Sequence, residues 1–117
     1  MRAALCLSLS LTLSLRLNAQ QRADPEFDTS VSKPAHTAKH PVLAIDEAHN
    51  NFHTMTGRYA PFASLMKNDG LQVRASALKL NAAALKGVDV LVISNPAGPG
   101  IGANGDDSPP AFTSAEC

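Results

Sequence analysis

Usable cysteine, an excess of either charge, and long apolar runs are all scarce in this chain. Its two cysteines, Cys6 and Cys117, lie near opposite ends. Cys6 falls inside an N-terminal apolar run, so no internal disulfide can form once that run is removed. Cys6 also comes before most of the run, whereas a lipid-attachment cysteine would follow it. Lys and Arg number 10, as do Asp and Glu, and no basic stripe stands out. A nucleic-acid surface needs clustered cations on one face, so that partner class is not expected. The longest apolar stretch, residues 3–19, is interrupted by serines and by Arg16. It falls short of the about 20 apolar residues that span a bilayer.

That stretch has another reading. A basic start, Met1-Arg2, leads into an apolar middle and a small residue, Ala19, before the polar "QQRADPEFD". This is the order of a secretory signal peptide, with cleavage expected after Ala19. The mature chain would hold 98 residues, lose Arg2 and Arg16, and carry a net charge near −2. It would be secreted or periplasmic, without a transmembrane helix. One domain at most fits this length.

Residues 20–40 show no apolar periodicity and read as a disordered linker, its His36 and His40 either solvated or forming a loose metal tag. From residue 41 the pattern changes. "VLAID" is a short apolar run ending on an acid, as in a buried strand that opens into a loop. "YAPFASLMKND" repeats apolar residues at helical spacing, with Pro61 suited to the first turn and Gly70 to the left-handed stop. "LQVRA" alternates as an edge strand does, "LNAAALKG" suggests a brief helix, and "VDVLVIS" is an almost continuous β-branched run fit for a buried parallel strand.

This alternation predicts an α/β fold, a doubly wound parallel sheet. Right-handed crossovers make strand order 2-1-3 the economical arrangement. Thr113 and Glu116 then have capping-box spacing, announcing a helix just before Cys117. The expected architecture is therefore the N-terminal part, residues 41–117, of a truncated α/β domain.

The segments "PVLAIDEAHNNFHTMTGRYAPFASLMKNDGLQV", "LKGVDVLVISNP" and "SPPAFTSAE" resemble a bacterial family of exported or membrane-associated proteins of unknown function. The resemblance covers residues 41–117 and implies a class I glutamine amidotransferase-like, flavodoxin-like domain. It implies no reaction. Amidotransferase chemistry needs a cysteine nucleophile on a strand-to-helix turn, and Cys117 has no following amides to form an oxyanion hole.

The loop "DEAHNNFHTMTGRY" concentrates the chemistry. Ligands of open α/β sheets bind beyond the carboxyl ends of strands. Asp46, Glu47, His49, Asn50, His53 and Arg58 are thus candidate ligand-binding residues, with Asn95 from the end of the third strand on the same rim. Three readings of the cluster stand side by side. As a metal site, His49 and His53 are four apart and could join Asp46 or Glu47, although the Glu that follows the first His in metalloprotease helices is Asn50 here. As a polar-ligand site, the carboxylates, amides and Arg58 would hold a sugar or peptide of the cell envelope, with Tyr59 or Phe52 stacking. As scaffolding, Asp46 accepts loop N–H groups, the asparagines shape turns, and Arg58 pairs with Glu47.

The Gly-rich "GPGIGANGDD" lacks the Lys-Ser/Thr of a phosphate loop, and Asp106 and Asp107 would repel phosphate. No cofactor is expected. The favoured function is a non-catalytic binding or scaffolding module at the cell envelope. The alternatives are a metal-assisted hydrolase, with Glu47 as general base, and a truncated fragment with no function of its own.

Overall fold

A computed structural model describes residues 22–100 and 109–117. The signal-peptide reading, Asp106 and Asp107 lie outside the described residues. The element order is β1 (Val42–Asp46), α1 (Ala60–Asn68), β2 (Gln72–Ser76) and β3 (Val90–Val92). All three strands pair in parallel in the order β2-β1-β3. This is a partial α/β parallel sheet with β1 in the middle, as the crossover rule predicts. Among the described residues no helix is long and apolar enough to cross a membrane.

The apolar run of β1 is buried because strands flank it on both sides. Leu43 and Ile45 pack with Ala63 of α1, and Met55, Tyr59, Phe62, Met66, Leu71, Val73 and Val92 close around them. Pro61 stands in the first turn of α1, where its missing N–H costs no hydrogen bond. At the other end Gly70 has φ +98°, the Leu71 N–H donates to Met66 O at 3.0 Å, and the Gly70 N–H donates to Lys67 O at 3.0 Å. These two bonds make a Schellman stop, and Leu71 and Met66 supply its apolar contact against the core.

That helix end also bonds to Thr29, Ala35, His36 and His40. Residues 22–40 carry no helix or strand, and these four are tied to the end of α1. The Asp69 carboxylate accepts the Ala35 N–H at 2.7 Å, Asp69 O accepts the His36 N–H at 3.1 Å, and Asn68 Nδ2 donates to Thr29 O at 2.8 Å. His40 Nδ1 lies 2.7 Å from Gly70 O. The carbonyls that a helix leaves open at its C-terminus are natural partners for such a segment. A Cβ at Gly70 would fall on the His36 carbonyl oxygen. Gly70→Ala is therefore expected to destabilise the fold by about 1–3 kcal/mol from the backbone conformation alone. The clash adds to this, and the urea midpoint measures the total.

The brief helix expected at residues 80–87 is a series of turns instead. Asn81 Oδ1 accepts the N–H groups of Ala83 and Ala84 at 2.9 Å, and the Lys86 N–H reaches only Ala83 O. So short a segment cannot offset helix nucleation. β3 is shorter than its apolar run, with Val90 42% and Ile93 41% exposed. Residues 113–116 form a single turn in which Glu116 accepts the Thr113 N–H, the carboxylate half of the expected capping box.

Candidate functional site

The chain leaves the carboxyl end of β1 at Asp46, which is fully buried. A buried carboxylate must be paired, and three groups of the next few residues do this. Asp46 Oδ1 accepts the Ala48 N–H at 3.2 Å. Asp46 Oδ2 meets His49 Nδ1 at 2.7 Å and Asn51 Nδ2 at 2.9 Å. Asn51 also donates to Ser94 O at 3.1 Å and accepts the His49 N–H at 3.0 Å. It thereby ties the end of β1 to the residues just after β3.

His49 is fully buried and reaches a second carboxylate. Its Nε2 lies 2.7 Å from Glu116 Oε1, and Phe112 packs on the ring with centroids 4.5 Å apart. Glu116 Oε1 also accepts the Leu80 N–H at 3.1 Å, while Glu116 Oε2 takes the Thr113 N–H and hydroxyl, both at 2.8 Å. Carboxylates only accept, so a His facing one at each nitrogen is held as the doubly protonated imidazolium. Burial is the largest single influence and works against that charge. The hydrogen bonds to Glu116 and Asp46, with the charge of Asp46, together outweigh it and the repulsion from Lys79, so the His49 pKa is raised. Glu116 moves the other way, to about 2, through the Thr113 N–H, His49, the Thr113 hydroxyl and the Leu80 N–H, against a smaller effect of burial.

These opposite shifts predict a stability maximum. The contribution of His49 is complete below its ordinary 6.5 and is lost as pH rises through its higher folded value. That of Glu116 is complete above its ordinary 4.5 and is lost as pH falls toward about 2. Urea midpoints across pH should therefore peak between 4.5 and 6.5 and fall on both sides.

The other candidate residues divide into three groups. Glu47 Oε1 accepts the Met55 N–H at 2.7 Å, and its own N–H donates to Ser76 O at 2.8 Å, so Glu47 braces the loop. Asn50 and Asn95 are both exposed, with φ +47° and +45°. Their segments are joined, because the Ala97 N–H donates to His49 O at 2.8 Å and Asn50 Nδ2 donates to Ala97 O at 3.2 Å. Asn95 Oδ1 lies 3.1 Å from Ser94 Oγ, which is 2.9 Å from the Tyr59 hydroxyl. His53, only 8% exposed, turns away from His49 into an aromatic group, 4.9 Å from Tyr59 and edge-on to Phe52 at 5.7 Å. The Arg58 guanidinium lies 3.4 Å over the Phe52 ring, a cation–π contact that covers the ring expected to stack on a ligand.

The structure thus joins Asp46 and His49, sets Asn50 beside the residues after β3, and places His53 and Arg58 in a separate aromatic cluster. Among the described residues no group of three or more His, Cys, Asp and Glu is arranged to hold a metal ion. The loop pattern places Asn51 on the rim, where it bonds to Asp46 and Ser94 O, but does not single out Ser94 or Glu116, and both are integral to the rim. Glu116 was visible as a capping residue, but nothing in its local sequence points to a histidine 67 positions away. Comparisons with protein-family models, with curated proteins and with solved structures find no match.

Proposed function

We propose that this chain is a non-catalytic ligand-binding or scaffolding module exported to the cell envelope, built on a flavodoxin-like sheet. The parallel 2-1-3 order supports such a sheet, and the leader-like residues 1–19 support export. The observation that carries the non-catalytic reading is the environment of His49. A general base needs a nitrogen open toward a nucleophile or substrate. Both nitrogens of His49 meet carboxylates of the chain itself. Asp46, Asn51 and Glu47 are likewise engaged in holding the loop.

What faces solvent on this rim is a pair of amides, Asn50 and Asn95. Amides suit a sugar or a peptide backbone, which offer both donors and acceptors. The test is calorimetric titration of the full chain with envelope glycan fragments and short peptides. A saturable heat, lost in Asn50→Gly with Asn95→Gly, is the expected result. Glycine removes both amides without straining two positive-φ positions. Mass spectrometry of the titrated ligand completes the test, since a consumed ligand refutes the non-catalytic reading. Export is checked by the N-terminus of the secreted product, expected at Gln20.

A further inference from the structure

The bonds of Glu116 fall into two sets. Glu116 Oε2 is held within its own segment, by the N–H and hydroxyl of Thr113. Glu116 Oε1 meets donors that belong to other parts of the fold: His49 Nε2 at 2.7 Å and the Leu80 N–H at 3.1 Å. Asp46 holds the other nitrogen of His49 and Asn51 its backbone N–H, two contacts that come from the loop after β1 itself. Lys79, next to Leu80, adds positive potential at the ring. The position also lies beyond the carboxyl end of the central parallel strand, where open α/β sheets take their ligands.

We infer that His49 Nε2–H and the Leu80 N–H form a recognition position for a carboxylate, which Glu116 fills from within the chain, and that a carboxylate-bearing ligand enters by taking the place of Glu116. The donor set matches this chemistry. One charged N–H and one backbone N–H converge on a single oxygen, the pattern of charge-assisted carboxylate binding. The charges around the position are Asp46 behind the ring, Lys79 beside it and Glu116 in front. Removing Glu116 leaves a buried imidazolium with Asp46 as its remaining carboxylate and its Nε2–H unmatched, which is costly until another anion arrives. Phe112 covers the ring from the same segment that carries Glu116, so displacement of the one exposes the other. The inference rests on the ligand-binding reading of this rim and narrows the ligand to a carboxylate-bearing sugar or peptide.

The test uses the full chain carrying Glu116→Ala, with sodium formate as probe and sodium chloride at equal ionic strength as control. Formate is expected to raise the melting temperature saturably above the chloride value, and adding His49→Gln is expected to abolish that excess. Identical effects of the two salts would overturn the inference. Where the alanine variant does not fold, Glu116→Gln keeps the shape and an accepting carbonyl. Formate should then shift the His49 Nε2–H resonance of this variant at lower concentration than in the native chain. No titration in either protein refutes the position and leaves Glu116 as an internal brace only. An uncharged glycan that binds the native chain while formate acts on neither variant removes the carboxylate position but keeps the binding reading. Formate binding in the absence of any envelope ligand keeps the position and removes that reading.

Discussion

Replacing His49 with leucine is expected to destabilise the folded chain by about 3–5 kcal/mol, the range for breaking a buried charge pair by removing one partner. The change removes no large apolar contact, since leucine can pack against Phe112 as the ring does. Its cost is electrostatic. Asp46 and Glu116 both lose the imidazolium at 2.7 Å, and both stay enclosed, with side-chain exposures of 0% and 4%. Their remaining donors, Ala48, Asn51, Leu80 and Thr113, carry no charge that offsets two carboxylates. Equilibrium urea unfolding followed by the fluorescence of Tyr59, the one tyrosine, reads the loss. The effect should shrink at low pH, where Glu116 takes up a proton in the variant more readily than in the native chain. A loss below about 1 kcal/mol at neutral pH would place the bridge among exposed ion pairs of little worth.

The second large effect belongs to the core. Ile45 is the largest fully buried side chain among the described residues, lies within β1, and packs with Leu43 and Ala63. Ile45→Ala should cost about 2–5 kcal/mol through lost transfer energy and an incompletely closed cavity. Ile45→Val should cost about 0.5–1.5 kcal/mol at the same site. A small domain holds only about 5–15 kcal/mol in total, and the buried apolar set among the described residues is Leu43, Ala44, Ile45 and Ala63. The alanine variant is thus expected to show a clear unfolded fraction without denaturant, and the valine variant is not. The two urea midpoints, read at Tyr59 in the same cluster, decide the matter.

Both effects meet at Asp46, next to Ile45 on the same strand. The apolar run of β1 is anchored by its own burial, and that burial carries Asp46 out of water with it. The loop that follows must then supply donors, and Ala48, His49 and Asn51 do so within five residues. Asp46 and His49 can therefore be read from their local spacing. Glu47 is different, because its partner, the Met55 N–H, depends on how residues 50–54 turn. The expectation that the rim would gather every polar residue of the loop misplaces His53, which joins Tyr59 and Phe52. In a loop the four-residue spacing of His49 and His53 does not place them on a common face.

The local chemistry of this sequence determined what depends on neighbours in the chain. Pro61 and Gly70 bound α1 through a missing donor and a left-handed backbone, the β-branched runs chose the strands, and chain handedness set the order 2-1-3. Tertiary structure alone decided the partners that lie far apart in sequence. It brought Glu116 to His49, tied Asn51 to Ser94 O, and bonded Thr29, Ala35 and His36 to the open end of α1. The physical reason is that a strand or helix terminus specifies only that its exposed donors, acceptors and charges must be satisfied. Which distant group satisfies them depends on how the strands pair, and that pairing puts the rim of β1 within reach of Ser94 and Glu116.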